Sequence, residues 1–301
     1  MTAMTAMMAM DDVRTVQATL RYLCEGSFVN RRFVSAGVER NTGRYEDHVM
    51  TIRDGRDLRE HLTLDSHGFR LLDHRSAVGD FRDREAVDRV YADEAVALIR
   101  EATGAARVVS RGWMIRTSGD LSQRMKKVVG YRHQGGIQPP AGEVHVDFSP
   151  RSAPRLAEQI HRDAFPDAAG FSRFVAFSLW RAFSPPPQDC PLAVCEGGSL
   201  ADDEGVPNTL HVVDEMPPLE AMLAEMPCED ERIAASIFRH RPGHRWWYFS
   251  NMRVDEALLF KFYDSDHSVA WRCPHTAFHD NSLPGARIRE SIEMRLFAYF
   301  D

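Results

Sequence analysis

A histidine and an aspartate two residues apart are the first residues here that invite chemistry. The segment Val144-His145-Val146-Asp147-Phe148-Ser149 alternates apolar and polar side chains. Successive side chains of a β-strand point to opposite faces, so His145 and Asp147 share one face while Val144, Val146 and Phe148 share the other. An imidazole and a carboxylate placed this way can bind one metal ion. A second histidine from a distant strand would complete a facial triad of two histidines and one carboxylate, whose open positions suit non-haem Fe(II) oxygenases. The best second histidine is His275, in Pro274-His275-Thr276-Ala277-Phe278. His279 shares its strand phase but abuts a turn at Asp280-Asn281-Ser282.

The last strand supplies a second constellation. Arg287, Arg289, Ser291, Glu293 and Arg295 fall on one face, with Ile288, Ile292, Met294 and Leu296 mainly on the other. Such a face is either a solvated ion-pair ladder or the wall of a polar cavity. A guanidinium fork with a hydroxyl beside it suits a carboxylate. Behind an iron triad, that carboxylate is the far end of 2-oxoglutarate. Arg289 and Ser291 are therefore the candidate anchors, with Arg287, nearer the turn, as the alternative. The expectation is that this strand lies beside the His275 strand in the same sheet, antiparallel to it.

Elements must bring these distant residues together. Short apolar runs over residues 13–38 predict one or two entry strands with a turn at Gly26. A further turn is expected at 41–45, and a strand from His48 ends at Asp54-Gly55. Val87, Val90, Tyr91, Ala95, Leu98 and Ala102 recur at helical spacing before Gly104, predicting a helix over 84–103 that packs outside a sheet. His61, His67 and His74 lie before it at spacings that suit surface and loop positions. A strand follows at 108–117. Residues 118–143, polar and rich in Gly and Pro, predict a long loop that runs into the His-x-Asp strand and acts as a lid. Its Tyr131 is a candidate substrate contact, and Arg132 and His133 lie beside it. A second helix starts near Ser152, with Leu156, Ile160 and Ala164 as its apolar side. Strands are then expected at 172–183, 191–194, 209–213, 245–249, 257–263, 270–278 and 287–300. Many strands with few helices in 301 residues point to a mainly β protein with flanking helices and a double-stranded β-helix (jelly-roll, cupin-like) core. One domain over 11–301 is expected, behind a disordered tail at 1–10. Five of those first ten residues are methionine, and a start at Met8 or Met10 would remove only the tail.

Composition narrows the class further. The net charge is −7 and the arginines are scattered, which argues against nucleic acid as a partner. No apolar run is long enough to cross a membrane. Five widely spaced cysteines (24, 190, 195, 228 and 273) include no C-x-x-C, so reduced thiols and a cytoplasmic location are expected rather than disulfides or structural zinc. His240-x-x-x-His244 is not read as a zinc pair, because Pro242 and Gly243 break helical spacing.

Six stretches resemble one known family. They are His145-Val146-Asp147, Trp180-Arg181, Pro191-Leu192-Ala193-Val194-Cys195, Lys261-Phe262-Tyr263-Asp264-Ser265, Pro274-His275-Thr276-Ala277-Phe278 and Arg289-Glu290-Ser291-Ile292-Glu293-Met294-Arg295. In this order, from about residue 145 to the end, they resemble the family containing the fungal gibberellin desaturase and a protein of cephamycin 7-methoxylation. The resemblance implies an Fe(II)/2-oxoglutarate oxygenase of secondary metabolism. The chain departs from the family pattern at Ser178 (Asn expected), Ala182 (Pro expected) and Glu196 (Asp expected). These positions bear on the substrate more than on the class of chemistry.

The expected protein is thus a 2-oxoglutarate-dependent non-haem iron dioxygenase acting on a small molecule. Fe(II) would be held by His145, Asp147 and His275, with 2-oxoglutarate and O2 as cosubstrates. Trp180, Arg181, Lys261 and Tyr263 are further candidate substrate contacts. Trp180 and Arg181 face opposite ways in a regular strand, whereas Lys261 and Tyr263 share a face. Hydroxylation, desaturation and cyclisation remain open, and a homodimer is compatible with the sequence. The alternatives are a non-catalytic jelly-roll binding protein, or a metal-dependent hydrolase of cupin-like fold that would lack a keto acid site.

Overall fold

The computed structural model describes residues 13–35, 38–120 and 137–301. In chain order the strands are β1 (Thr15–Leu23), β2 (Arg31–Ser35), β3 (Val38–Asn41), β4 (Tyr45–Asp54), β5 (Phe69–Asp73), β6 (Arg107–Thr117), β7 (Ile137–Gln138) and β8 (His145–Val146). They continue with β9 (Arg173–Ala182), β10 (Leu192–Cys195), β11 (Val206–Val212), β12 (Ala234–Ile237), β13 (Trp246–Tyr248), β14 (Glu256–Asp264), β15 (His275–Ala277) and β16 (Glu290–Phe300). Two sheets result, as expected of a jelly roll. The larger has the order β1-β4-β13-β10-β15-β8-β12-β11-β2-β3, and the smaller β5-β14-β9-β16-β6-β7.

Alternation in β9 explains why two cores form. Phe174, Ala176 and Trp180 enter the core between the sheets, with Phe260, Phe262, Phe297 and Tyr299. Val175, Phe177 and Leu179 face the other way, into a second core with Ile292, Met294 and Leu296. A helix over residues 84–103, α1, covers this second core with Val87, Tyr91, Ala95 and Ile99. The Asp83 carboxylate accepts from the Ala86 amide at its start, and Gly104 ends it at φ 71°, where a Cβ would be strained. A π-turn over Val87–Tyr91 interrupts it, which residue spacing did not reveal. The second helix, α2 (Ser152–Ala164), buries Ala153, Ala157 and Ile160. The expected stripe was displaced, since Leu156 is only half-buried and Ala164 is exposed.

Three expectations are corrected. The strand foreseen over 270–278 pairs only at His275–Ala277. Before it, residues 270–274 are buried coil whose backbone is tied to Asp65, Asp264, Lys261 and Cys195. β16 lies in the smaller sheet, so it does not neighbour β15 but faces it across the interior. The chain crosses between sheets over 278–289, and that crossing turns the polar face of β16 inward instead of toward solvent. Finally, a register shift between Lys261 and Tyr263 marks a bulge at Phe262, so Lys261 and Tyr263 do not share a face. Residues 1–12 and 121–136, which include the tail and most of the expected lid with Tyr131, Arg132 and His133, lie outside the described residues. All five cysteines are free. Among the described residues no helix is long and apolar enough to cross a membrane.

Candidate metal centre

β8 and β15 pair through a single register point, His275 opposite His145. Neighbouring strands lie about 4.8 Å apart, so direct cross-strand partners carry adjacent side chains. The two imidazole centroids are 4.4 Å apart. Each ring is oriented in the same way. His145 Nδ1 donates to the Glu143 carbonyl at 2.8 Å, and His275 Nδ1 donates to the Cys273 carbonyl at 3.3 Å. With Nδ1 engaged by the backbone two residues earlier, Nε2 is the nitrogen left for a ligand, an arrangement typical of metal-binding histidines.

Asp147 follows β8 directly, with Oδ1 3.6 Å from His145 Nε2. One ligand atom from each of His145, Asp147 and His275 lies within 4.8 Å of the others, the one such cluster among the described residues. Oδ2 points elsewhere and accepts from Arg295 Nε at 2.5 Å. Arg295 also pairs with Glu293 at 3.1 Å, and Glu293 with Arg116 at 3.7 Å. Burial opposes ionisation of Asp147, yet the Arg295 guanidinium beside it holds its carboxyl well below the usual range. Burial, with His145 beside it, keeps the His275 imidazole well below its ordinary value. Neutral imidazole and ionised carboxylate are the states that ligate a divalent cation. The donor set, two nitrogens and an oxygen, fits Fe(II) with open positions remaining.

Arg289 precedes β16 and is 1% exposed. Its Nη1 donates to the Cys190 carbonyl at 2.9 Å, and the guanidinium lies 5.7 Å from the Trp180 ring. Its Nε and the Ser291 hydroxyl are buried without a hydrogen-bond partner. Burial lowers Arg289 to about 10, so it remains charged at neutral pH. A narrow cleft joins Arg289, Trp180, Arg116 and Glu293 to His145 and His275. A larger cavity, about 360 Å³, opens from His145, Asp147, Arg116 and Arg295 toward Asn208 and the β3 edge.

Other sequence candidates are placed elsewhere. His279 and Arg287 are exposed, and neither lines the cleft or cavity. Arg181 points out of the sandwich, beneath α1, to the Tyr91 hydroxyl and the His74 carbonyl. Lys261 pairs with Asp264 at 2.8 Å, and Tyr263 stacks on Phe174 at 5.5 Å. His61 is exposed, and His67 and His74 are half-buried. Glu196, one of the departures, is bound by Arg245 at 2.9 and 2.7 Å. Arg116, Asn208 and the contact of Arg295 with Asp147 were not singled out by sequence. Only the shared phase of Glu293 and Arg295 with Arg289 signalled the last.

Comparison with known proteins gives the same class. A family model described as an oxidoreductase/YMDC permease-like domain matches residues 25–299. The chain is 29% identical to the hydroxylase/desaturase efuI of Hormonema carpetanum, over 95% of this chain and 96% of the relative. It is 31% identical to the hydroxylase/desaturase CTB9 of Cercospora beticola, over 86% and 78%. It is 29% identical, over 84% and 83%, to the Fe(II)/2-oxoglutarate-dependent dioxygenase nvfI of Aspergillus novofumigatus. The solved structure of the endoperoxidase NvfI superposes with a TM-score of 0.73 at 24% identity, over 95% of this chain and 98% of that one, and so shares its fold. Enzymes of this group use Fe(II), 2-oxoglutarate and O2. The chain belongs to the Fe(II)/2-oxoglutarate-dependent dioxygenase family.

Proposed function

We propose that His145, Asp147 and His275 hold Fe(II), that Arg289 and Ser291 bind the distal carboxylate of 2-oxoglutarate, and that a small molecule of secondary metabolism is oxidised in the larger cavity. The observation that carries this reading is one cleft that joins His145 and His275, two of the three convergent ligands, to Arg289, whose buried Nε has no hydrogen-bond partner. A buried cation lacking an anion is costly, so Arg289 Nε and Ser291 Oγ call for a carboxylate.

The iron, when bound, supplies the activation of O2 coupled to decarboxylation of the keto acid. The protein's part is orientation and exclusion. The Glu143 and Cys273 carbonyls fix the two imidazole tautomers. Arg295 engages Oδ2 of Asp147, so Oδ1 is the oxygen that would be left to hold the iron. Glu293 balances Arg295 and Arg116 between the two sheets. The cleft is narrow, about 10 Å³, so the keto acid displaces side-chain atoms on entry. Arg116, held by a 3.7 Å ion pair and a bond to the Pro139 carbonyl at 2.9 Å, is the loosely held group beside it. Residues 11–301 are read as one domain, because the triad comes from the larger sheet and the keto acid anchor from the smaller.

His145→Ala and His275→Ala test the metal assignment. Each is expected to lose stoichiometric Fe(II) in an anaerobic titration while circular dichroism stays unchanged. Full iron occupancy in both variants rules the triad out.

A further inference from the structure

Resting on the functional reading above, which sets where oxidation takes place, we infer that Asn208 is a substrate-binding residue. It takes a hydrogen bond from a hydroxyl on an otherwise apolar molecule. Asn208 is 5% exposed, lines the 360 Å³ cavity, and its Oδ1 has no hydrogen-bond partner. The orientation of its carboxamide follows from a chain of donors. Arg32 donates to Glu39 Oε2 at 2.6 Å. Asn41 Nδ2 donates to Glu39 Oε1 at 3.3 Å, because a carboxylate only accepts. Asn41 must then offer Oδ1 to its other neighbour, and Asn208 Nδ2 donates to it at 3.4 Å. The carboxamide is therefore locked with its oxygen free, and a buried free acceptor needs a donor.

The position suits a substrate contact. Asn208 pairs with Ala235 on β12, and β12 pairs with β8 through Ile237 opposite His145. Asn208 thus stands two strand spacings, about 10 Å, from the ligand strand. The wall between is apolar, with Ala235 and Ile237 of β12 lining the cavity, and Val34 and Val38 line it beyond Asn208. That wall fits a hydrocarbon body whose hydroxyl reaches Asn208 while a carbon at the other end lies near the triad. An ammonium is a poorer donor here. Arg32, Arg116 and Arg295 line the cavity against Glu39, Glu143 and Asp147, and a divalent metal would tip that balance positive. The buried Tyr45 hydroxyl lies within reach of the Asn208 carboxamide, so it is the internal group that a ligand hydroxyl must displace or join.

The test uses anaerobic enzyme loaded with Fe(II) and 2-oxoglutarate. Binding of adamantanol and of its methyl ether, which lacks the donor, is measured by ligand-detected NMR. Wild type is expected to prefer the alcohol by about tenfold or more, as a site built around a hydroxyl rejects the analogue without one. Asn208→Leu should bring the ratio to about one by weakening the alcohol alone. Asn208→Asp, which keeps an acceptor, should preserve it. Equal affinity for both probes in wild type, no binding of either, or a ratio that survives in Asn208→Leu overturns the inference. If Asn208→Leu does not fold, the wild-type and Asn208→Asp ratios decide. Failure to load Fe(II) or 2-oxoglutarate strikes the functional reading instead, and is seen before any probe is added.

Discussion

Two arginines on opposite faces of the smaller sheet are equally buried and are used differently. Arg181, 0% exposed, sits under α1, where every direction is filled by protein. It donates to the Val254 carbonyl, to the His74 carbonyl at 2.8 Å, to His74 Nδ1 at 2.5 Å and to the Tyr91 hydroxyl at 3.4 Å. The Phe81 and Tyr91 rings lie over it at 5.6 and 5.4 Å. Arg289, 1% exposed, has one carbonyl and one ring, and its Nε is left over. A buried cation costs free energy unless its donors are satisfied. Arg181 is satisfied by the fold itself, so it serves stability. Under the proposed function Arg289 is satisfied by the keto acid's carboxylate, so the desolvation of its guanidinium would favour binding. Burial alone does not separate the two; the count of satisfied donors does.

The comparison can be broken first at Arg181. Arg181→Met is expected to lower unfolding free energy by roughly 3–5 kcal/mol, read by urea denaturation, since a buried network loses its centre. Its folded fraction should bind 2-oxoglutarate normally. Arg289→Ala is expected to do the reverse, weakening 2-oxoglutarate by about a hundredfold or more in calorimetry with little change in Tm. A destabilised Arg289→Ala with intact keto acid affinity would merge the two arginines into one structural class. Arg295→Met removes the hold on Asp147 Oδ2 and should weaken Fe(II) by roughly 10–100-fold, as lost outer-shell partners do. His74 sharpens the contrast through pH. Burial, with Arg181 beside it, holds its imidazole below the usual value. The unfolded chain takes up a proton near pH ~6.5 that the folded state refuses, so stability is full above that pH and falls as pH drops through it. Replacing His74 with Asn should reduce that slope. Arg287→Ala is the smallest step. Arg287 is exposed and outside the cleft, so both stability and keto acid affinity are expected to stay within about 0.5 kcal/mol of wild type.

Sequence by itself determined the strongly periodic features. Alternation in residues 172–183 divided Phe174, Ala176 and Trp180 from Val175, Phe177 and Leu179, and these became two separate cores. Helical spacing and Gly104 marked α1. Strand phase put His145 and Asp147 together, and the turn after His279 favoured His275. These are local properties, set by side-chain period and backbone propensity, and they persist whatever the chain does elsewhere. Only the tertiary structure decided how distant strands meet. It placed β16 on the opposite sheet from β15, which turned a polar strand face into the wall of a buried cleft and brought Arg295 onto Asp147. A single extra residue at Phe262 sent Lys261 and Tyr263 to different sides. Asn208 gained its meaning from a hydrogen-bond chain that begins at Arg32, far away in sequence. Sheet partners, bulges and donor chains depend on contacts between segments that share no local pattern, so one strand's sequence carries no record of them.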